Sequence, residues 1–265
     1  MYIFLQQRYN LDQIYKSGYA FFMLFTKKRP DGTYIKNLHF FTRLMPYLMP
    51  KRSDACIFFE QEFDVTKTLA YVQKRKADSA VPKISMFYIL LYAALRIIAQ
   101  RPKLNRFVSG YRFYQRNNIS FNFVAKRDLS DEGEEINVTM SFSPLLSLEG
   151  FCAKIHNYVS SLKKGSGTST EKLNSFLSHL PRFCIRFFFW VIRFLDYNNG
   201  IPRAVIDSLP FYTTVFFTNV GSVGIDAPFH HNFEIGNCGI FCAIGKKSTG
   251  NTLSARTEQS RRGTR

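Results

Sequence analysis

Apolar and polar positions along this chain follow two periods, and the periods mark out its elements. Residues 38–50 read as a helical or irregular stretch closed by LMPKRSDA, and residues 55–63 (ACIFFEQEF) read as a strand. Asp64 then stands where a helix cap belongs, ahead of Val65, Leu69 and Val72 at i, i+4 and i+7, with Lys74, Arg75 and Lys76 at the far end. The strongest helical stripe is Ile84, Phe87, Tyr88, Leu91, Leu95 and Ile98, stopped by Pro102. Residues 107–116 predict a hairpin or bulged strand around Ser109-Gly110. Ile119, Phe121, Phe123 and Ala125 alternate with Ser120, Asn122 and Val124, the mark of a half-buried strand, and Ile136, Val138, Met140 and Phe142 alternate in the same way.

Between those two strands RDLSDEGEE reads as a solvated turn. Phe151, Ile155, Val159 and Leu162 share a helical face over 148–162, GSGTST (165–170) is a flexible loop, and helices fill 171–196. Strands over 211–218 and 239–245 follow. The order β-α-α-β-β-β-α-α-α-β-β, without an internal repeat, predicts a mixed α/β chain. Arg29-Pro30-Asp31-Gly32 is a turn signal near its start. Residues 1–26 fit none of this and are expected to be an extension, with Met23, just ahead of KKRPDG, a second candidate start. The last twenty residues contain no aromatic side chain and six basic ones, so 248–265 reads as a disordered tail joined abruptly to a strand, as after a frame change near Lys247.

Composition narrows the class. A chain of 265 residues that is 46% hydrophobic, with 28 Phe, can bury a large core. Its 36 basic residues against 19 acidic ones give a charge of +17, which attracts anions of many kinds. The basic residues form no nucleic-acid motif, so nucleic acid is not an expected partner. The stretch RFCIRFFFWVIRFL (182–195) is too short to span a bilayer and carries three arginines at helical spacing. A helix packed on the core with its arginines at the rim is the favoured expectation, and a basic helix lying on a membrane surface the less favoured one. Cys56, Cys152, Cys184, Cys238 and Cys242 have no paired or zinc-finger spacing; four residues along a strand separate Cys238 and Cys242 by about 13 Å, too far to bridge. Free thiols, a cytoplasmic setting and no metal are therefore expected.

Four segments then carry a likeness. FFEQEFDVTKTLAYVQKRK, KISMFYILLYAALRIIAQRPKLNRFV, RNNISFNFVAKRD and FFTNVGSVG, in that order, resemble the catalytic domain of the 2-oxoacid dehydrogenase acyltransferases (the E2 component) and its relative chloramphenicol acetyltransferase. The likeness covers roughly residues 27–247. It implies a mixed β-sheet packed against helices, a homotrimer, and acyl transfer between coenzyme A and a thiol or hydroxyl acceptor in a channel between subunits. It also implies roles for residues near 218. Thr218 matches the hydroxyl that donates to the tetrahedral oxyanion, Asn219 the turn asparagine beside it, and Gly221 and Gly224 the turn glycines.

In that family a histidine in an H-x-x-x-D-G motif is the general base, and base and oxyanion donor are both needed for the chemistry. This chain has no such motif. Its histidines are His39, His156, His179, His230 and His231. The last two are expected to be loop residues, with His231 the first substitute to consider. The expectation is an acyltransferase impaired as written, with the last strand and catalytic segment missing; the alternative is a non-catalytic trimeric binding or assembly module of the same fold. No lipoylation turn or Ala/Pro-rich linker is present in the sequence.

Overall fold

The computed structural model describes residues 28–76, 84–126, 135–163, 169–247 and 252–260. The extension at 1–26 lies outside them, as do most of the RDLSDEGEE turn and the first part of GSGTST. In chain order the elements are β1 (Gly32–Tyr34), α1 (Phe40–Leu48), β2 (Cys56–Asp64), α2 (Thr66–Lys76), α3 (Met86–Gln100), β3 (Arg106–Ser109), β4 (Arg112–Arg116), β5 (Ile119–Lys126) and β6 (Glu135–Phe142). There follow α4 (Leu148–Lys163), α5 (Ser169–Ser178), α6 (Arg182–Tyr197), α7 (Arg203–Ser208), β7 (Val215–Asn219), β8 (Ile240–Lys247) and β9 (Thr252–Ser260). This is the expected α/β class. Asp64 caps α2 as its position predicts, accepting from the Thr66 backbone N–H at 2.9 Å, and Ser85 caps α3 by accepting from Tyr88.

The main sheet runs β2-β9-β8-β7-β5-β6, and a small second sheet runs β1-β4-β3. β7 is parallel to both β5 and β8; the other pairs are antiparallel. One face of the main sheet carries Phe121, Phe123, Val138, Met140, Val215, Phe217 and Ile244, all buried against Leu91, Leu95 and Ile98 of α3 and Phe151 and Ile155 of α4. The alternation read from the sequence is thus the alternation between this core face and the face that holds Ser120 and Asn122. β7 begins at Val215, later than expected, because Thr213 and Thr214 are spent on the edge of β5. The Thr213 hydroxyl donates to the Ser120 carbonyl at 2.7 Å, and the Thr214 hydroxyl donates to Asn105 Oδ1 at 2.7 Å.

Two expectations are corrected here. Residues 252–260 are not a disordered tail, and the sheet does not stop at β8. β9 pairs with all nine residues of β2 and, on its other side, with β8 over Ile240–Ile244 and again at Lys247 beyond an irregularity. A strand bonded on both sides is held by its backbone, and buried Leu253 is anchor enough; aromatic content was the wrong test. The second correction concerns 182–195. Only Ile192 of α6 is buried, in a small satellite cluster with Ile201, Ile206, Leu209 and Tyr212. Its arginines do not rim a buried aromatic face, because Phe183, Phe187, Trp190 and Phe194 are exposed.

A buried polar network ties the two sheets and α6 together. The fully buried Arg116 guanidinium donates to the carbonyls of Tyr212, Thr213 and Asn237 and to Asn237 Oδ1 at 2.7 Å. Asn237 Nδ2 donates in turn to Asp31 Oδ2 at 2.7 Å. Asp31 pairs with Arg29 at 2.9 Å, and Arg29 reaches Asp196 of α6 at 2.8 Å and donates to the Ser109 hydroxyl. Burial works against the charge of Asp31, but the hydrogen bonds and charge of Arg29, with Arg116 and Asn237, outweigh it and hold the carboxyl below its ordinary range. Burial pulls the Arg116 guanidinium down to about 10.

Asp31→Asn leaves Arg116 without its nearest negative charge and should cost on the order of 3 kcal/mol in urea unfolding at neutral pH. Because the folded value of Asp31 is depressed, its contribution is complete above its unfolded value near about 4 and fades as pH falls through the lower folded value. The difference in stability between the native chain and the Asn variant should therefore shrink below about pH 4. A difference that stays constant with pH would remove Asp31 from this role.

Candidate functional site

The segment FFTNVGSVG crosses from strand to turn in five residues. β7 ends at Thr218 and Asn219, and a single 3-10 turn, Val220–Val223, carries the chain to Gly224, which is left-handed at φ 79°. The turn folds back on the end of β8: the Lys246 N–H donates to the Ile225 carbonyl at 2.9 Å, and the Lys246 ammonium lies 3.3 Å from Asp226. Gly221 makes this possible. A Cβ there would sit 2.2 Å from the Gly245 carbonyl oxygen, and one on Gly245 would sit 2.5 Å from the Ala227 nitrogen. Three backbone segments therefore meet where no side chain fits.

The expected site residues divide between the two faces of the sheet. Asn219 pairs with Ile244 on the core side. With Gly221 it lines a cavity of about 240 Å³ closed by Val65, Leu69, Phe87 and Leu90. Largely apolar walls, with the Asn219 amide and Lys247 also in the lining, suit the acyl or alkyl part of a ligand. Thr218 pairs with Ala243, and Ala243 with Arg256, so the threonine belongs to the opposite face. It is half-buried, and among the described residues its hydroxyl has no hydrogen-bond partner. Phe216 and Phe241 stack beside it at 5.1 Å on that same face.

Two further residues lie on the Thr218 face: Asn122, which no motif marks, and His230, the loop histidine expected from the sequence. Asn122 pairs in register with Phe216 and is fully buried; its amide nitrogen donates to Thr139 at 2.7 Å, while its Oδ1 has no partner among the described residues. An unsatisfied buried carbonyl costs about 1–3 kcal/mol, so this atom is set to accept from a group that the described chain does not supply. Its one trace in the sequence is an amide on the polar side of an aromatic strand. The second is His230, whose ring stacks on Phe241 at 4.2 Å with 6° between planes and whose Nδ1 is 2.7 Å from the His231 carbonyl. His231 is exposed, so the histidine on the Thr218 face is His230, not the residue that its sequence position favoured.

Two of the remaining histidines serve their own helices. His39 caps α1 by accepting from Phe41 at 3.3 Å, and His179 Nδ1 lies 2.6 Å from the Ser175 carbonyl. No group of metal-binding side chains occurs among the described residues. Cys152, Cys184, Cys238 and Cys242 form no disulfide, and burial pushes the Cys242 thiol up to about 12, far from thiolate chemistry at neutral pH.

No protein-family model matches the chain, and no curated protein sequence does. Solved structures do match. The probable dihydrolipoamide acetyltransferase of Listeria monocytogenes aligns with a TM-score of 0.52 over 86% of this chain and 86% of its own, at 10% identity. The dihydrolipoamide acetyltransferase of Azotobacter vinelandii, in which a serine, a histidine and an asparagine were studied for their part in the catalytic mechanism, aligns with a TM-score of 0.53 at 13% identity, over 86% and 84%. The catalytic core of the 2-oxoacid dehydrogenase multienzyme complex from Thermoplasma acidophilum aligns with a TM-score of 0.51 at 14% identity, over 86% and 88%. The chain has the fold of these acetyltransferase catalytic domains.

Gly221 and Gly224 give a paired test of the turn. Gly221→Ala forces apart backbone atoms and should cost about 1–3 kcal/mol in chemical unfolding. Gly224→Ala meets nothing within 4 Å and should cost only the left-handed strain, about 1 kcal/mol. Equal losses in the two variants would mean that the close approach of Gly221 to Gly245 does not shape this turn.

Proposed function

We propose that this protein is a coenzyme-A-dependent acyltransferase homologue that binds acyl-coenzyme A and transfers the acyl group to a thiol or hydroxyl acceptor, at a rate held low by the missing base motif. The observation that carries the reading is Thr218, a hydroxyl without a partner among the described residues at the end of a central strand, on the fold of dihydrolipoamide acetyltransferases. As acceptor attacks thioester, negative charge gathers on the carbonyl oxygen, and in this reading the Thr218 O–H donates to it. Asn219 and Gly221 shape the turn and the cavity that would take the apolar part of the substrate. The domain runs from the start of the described residues through β9, with 1–26 a separate extension.

The attack also requires a proton acceptor. His230 lies on the Thr218 face but is stacked flat on Phe241, and no H-x-x-x-D-G supplies another base. Loss of general-base catalysis lowers turnover by on the order of 10²–10⁴-fold.

A homotrimer fits the same reading. β2 is an edge strand with Ile57, Phe58, Phe59 and Phe63 exposed, an open template for a second chain. That exposed edge also favours the second reading, a binding or assembly module that keeps the fold and its coenzyme A site without turnover. Among the described residues no helix is long and apolar enough to cross a membrane.

Coenzyme A should raise the melting temperature of the purified chain in a concentration-dependent way, and acetyl-coenzyme A with a dithiol acceptor should release thiol slowly. Thr218→Ala should lower the release on the order of a further 10²-fold while leaving protection by coenzyme A in place. Protection with no release at all would favour the binding module; absence of protection would reject both readings. Fast turnover abolished by His230→Gln would instead make His230 the base.

A further inference from the structure

The outer face of α6 is built for a different partner. Phe183, Phe187, Trp190, Phe194 and Tyr197 recur at i, i+4, i+7, i+11 and i+14, so they form one stripe along the helix. All five are exposed, from 73% for Phe183 to 47% for Phe194. Their rings are ordered: Phe187 stacks on Trp190 at 6.0 Å and Trp190 on Phe194 at 5.8 Å. The stripe continues off the helix. Tyr197 meets Tyr111 edge-on at 5.8 Å, Tyr111 stacks on Tyr47 at 4.7 Å, and Tyr47 belongs to α1, which exposes Phe40, Phe41 and Leu48 as well. An apolar surface of this extent is rarely left to water.

Charge says what covers it. Arg182, Arg186 and Arg193 are exposed in a row that flanks one side of the aromatic stripe on α6. The only acid on α6 is Asp196, and it turns inward to Arg29. α1 contains no acid at all. A second copy docked face to face would set these arginines against their own equivalents with no carboxylate between them, a like-charge contact in a drying interface. An anionic lipid surface has the opposite requirement: aromatic rings at the headgroup level and guanidinium groups on the phosphates above them. The whole chain, at +17, adds long-range attraction of the same sign.

We infer that the aromatic and arginine face of α6, extended by α1, docks the protein onto an anionic membrane surface with α6 lying in the interface plane. At 16 residues the helix is about 24 Å long, too short to cross but ample for lying flat. The docked face is distinct from the β2 edge and from the Thr218 face, so the inference stands whether or not the protein transfers acyl groups.

Trp190 is the only tryptophan of the chain and sits in the middle of the stripe, which makes it the reporter. The full chain is titrated at low salt with phosphatidylcholine vesicles and with vesicles in which about 30% of the lipid is phosphatidylserine. The expected result is a blue shift of Trp190 emission and co-sedimentation with the anionic vesicles, both reversed near about 1 M salt. Phe187→Ser with Phe194→Ser should weaken binding at least about tenfold. Arg182→Gln, Arg186→Gln and Arg193→Gln together should weaken it on the order of 100-fold. All five side chains are exposed, and a circular-dichroism melt checks that each variant folds. No shift on anionic vesicles at low salt would overturn the inference. So would a shift without lipid that grows with protein concentration and disappears in the Phe variant, which would assign the face to a second copy.

Discussion

Everything at the sheet's entrance depends on Arg116. It is a buried cation whose guanidinium spans the carbonyls of Tyr212, Thr213 and Asn237, the residues that lead into β7 and β8. Without a negative charge nearby such a group would be expelled to water. Asp31 supplies that charge through Asn237, Arg29 balances Asp31, and Asp196 balances Arg29 in turn. One requirement, charge neutrality in a dry place, thereby joins the turn before β1, the end of α6, the strand β4 and the loop before β8. The two strands that carry the candidate site start from this fixed point, five residues upstream of the Thr218 turn.

Much of this was legible in the residues, for reasons that also explain the failures. Period-two and period-3.6 patterns found β5, β6, α3 and α4 because each buries one face against the same core. The cap at Asp64 involves a neighbour in sequence, so local chemistry suffices to place it. β1 and α7 are too short to show a period. β9 was misread because its stability comes from partners on both sides, β2 and β8, and no composition of the segment itself records them.

The site was half legible. FFTNVGSVG marks the turn, and Gly221 is there for the steric reason that its type suggests. The sequence could not say that Thr218 and Asn219, adjacent in the chain, serve opposite sides of the sheet. Alternation does predict it once β7 is known to run to Asn219, and one residue of uncertainty in the strand's end reverses the answer. Asn122 and His230 could be found only through register and ring contact, since neither follows a motif.

The position of β9 has a consequence for how the chain reaches this form. Among the described residues β2 pairs with the main sheet only through β9, and β9 leaves the ribosome roughly 200 residues after it. Until then β2, with Phe58, Phe59 and Phe63, has both edges bare in a growing chain. The helices α2 and α3 can form early beside it but cannot satisfy its backbone. A cell that makes this protein must keep one aromatic strand from pairing with its neighbours on the polysome until β9 emerges, which makes β2 the natural point of contact for a chaperone.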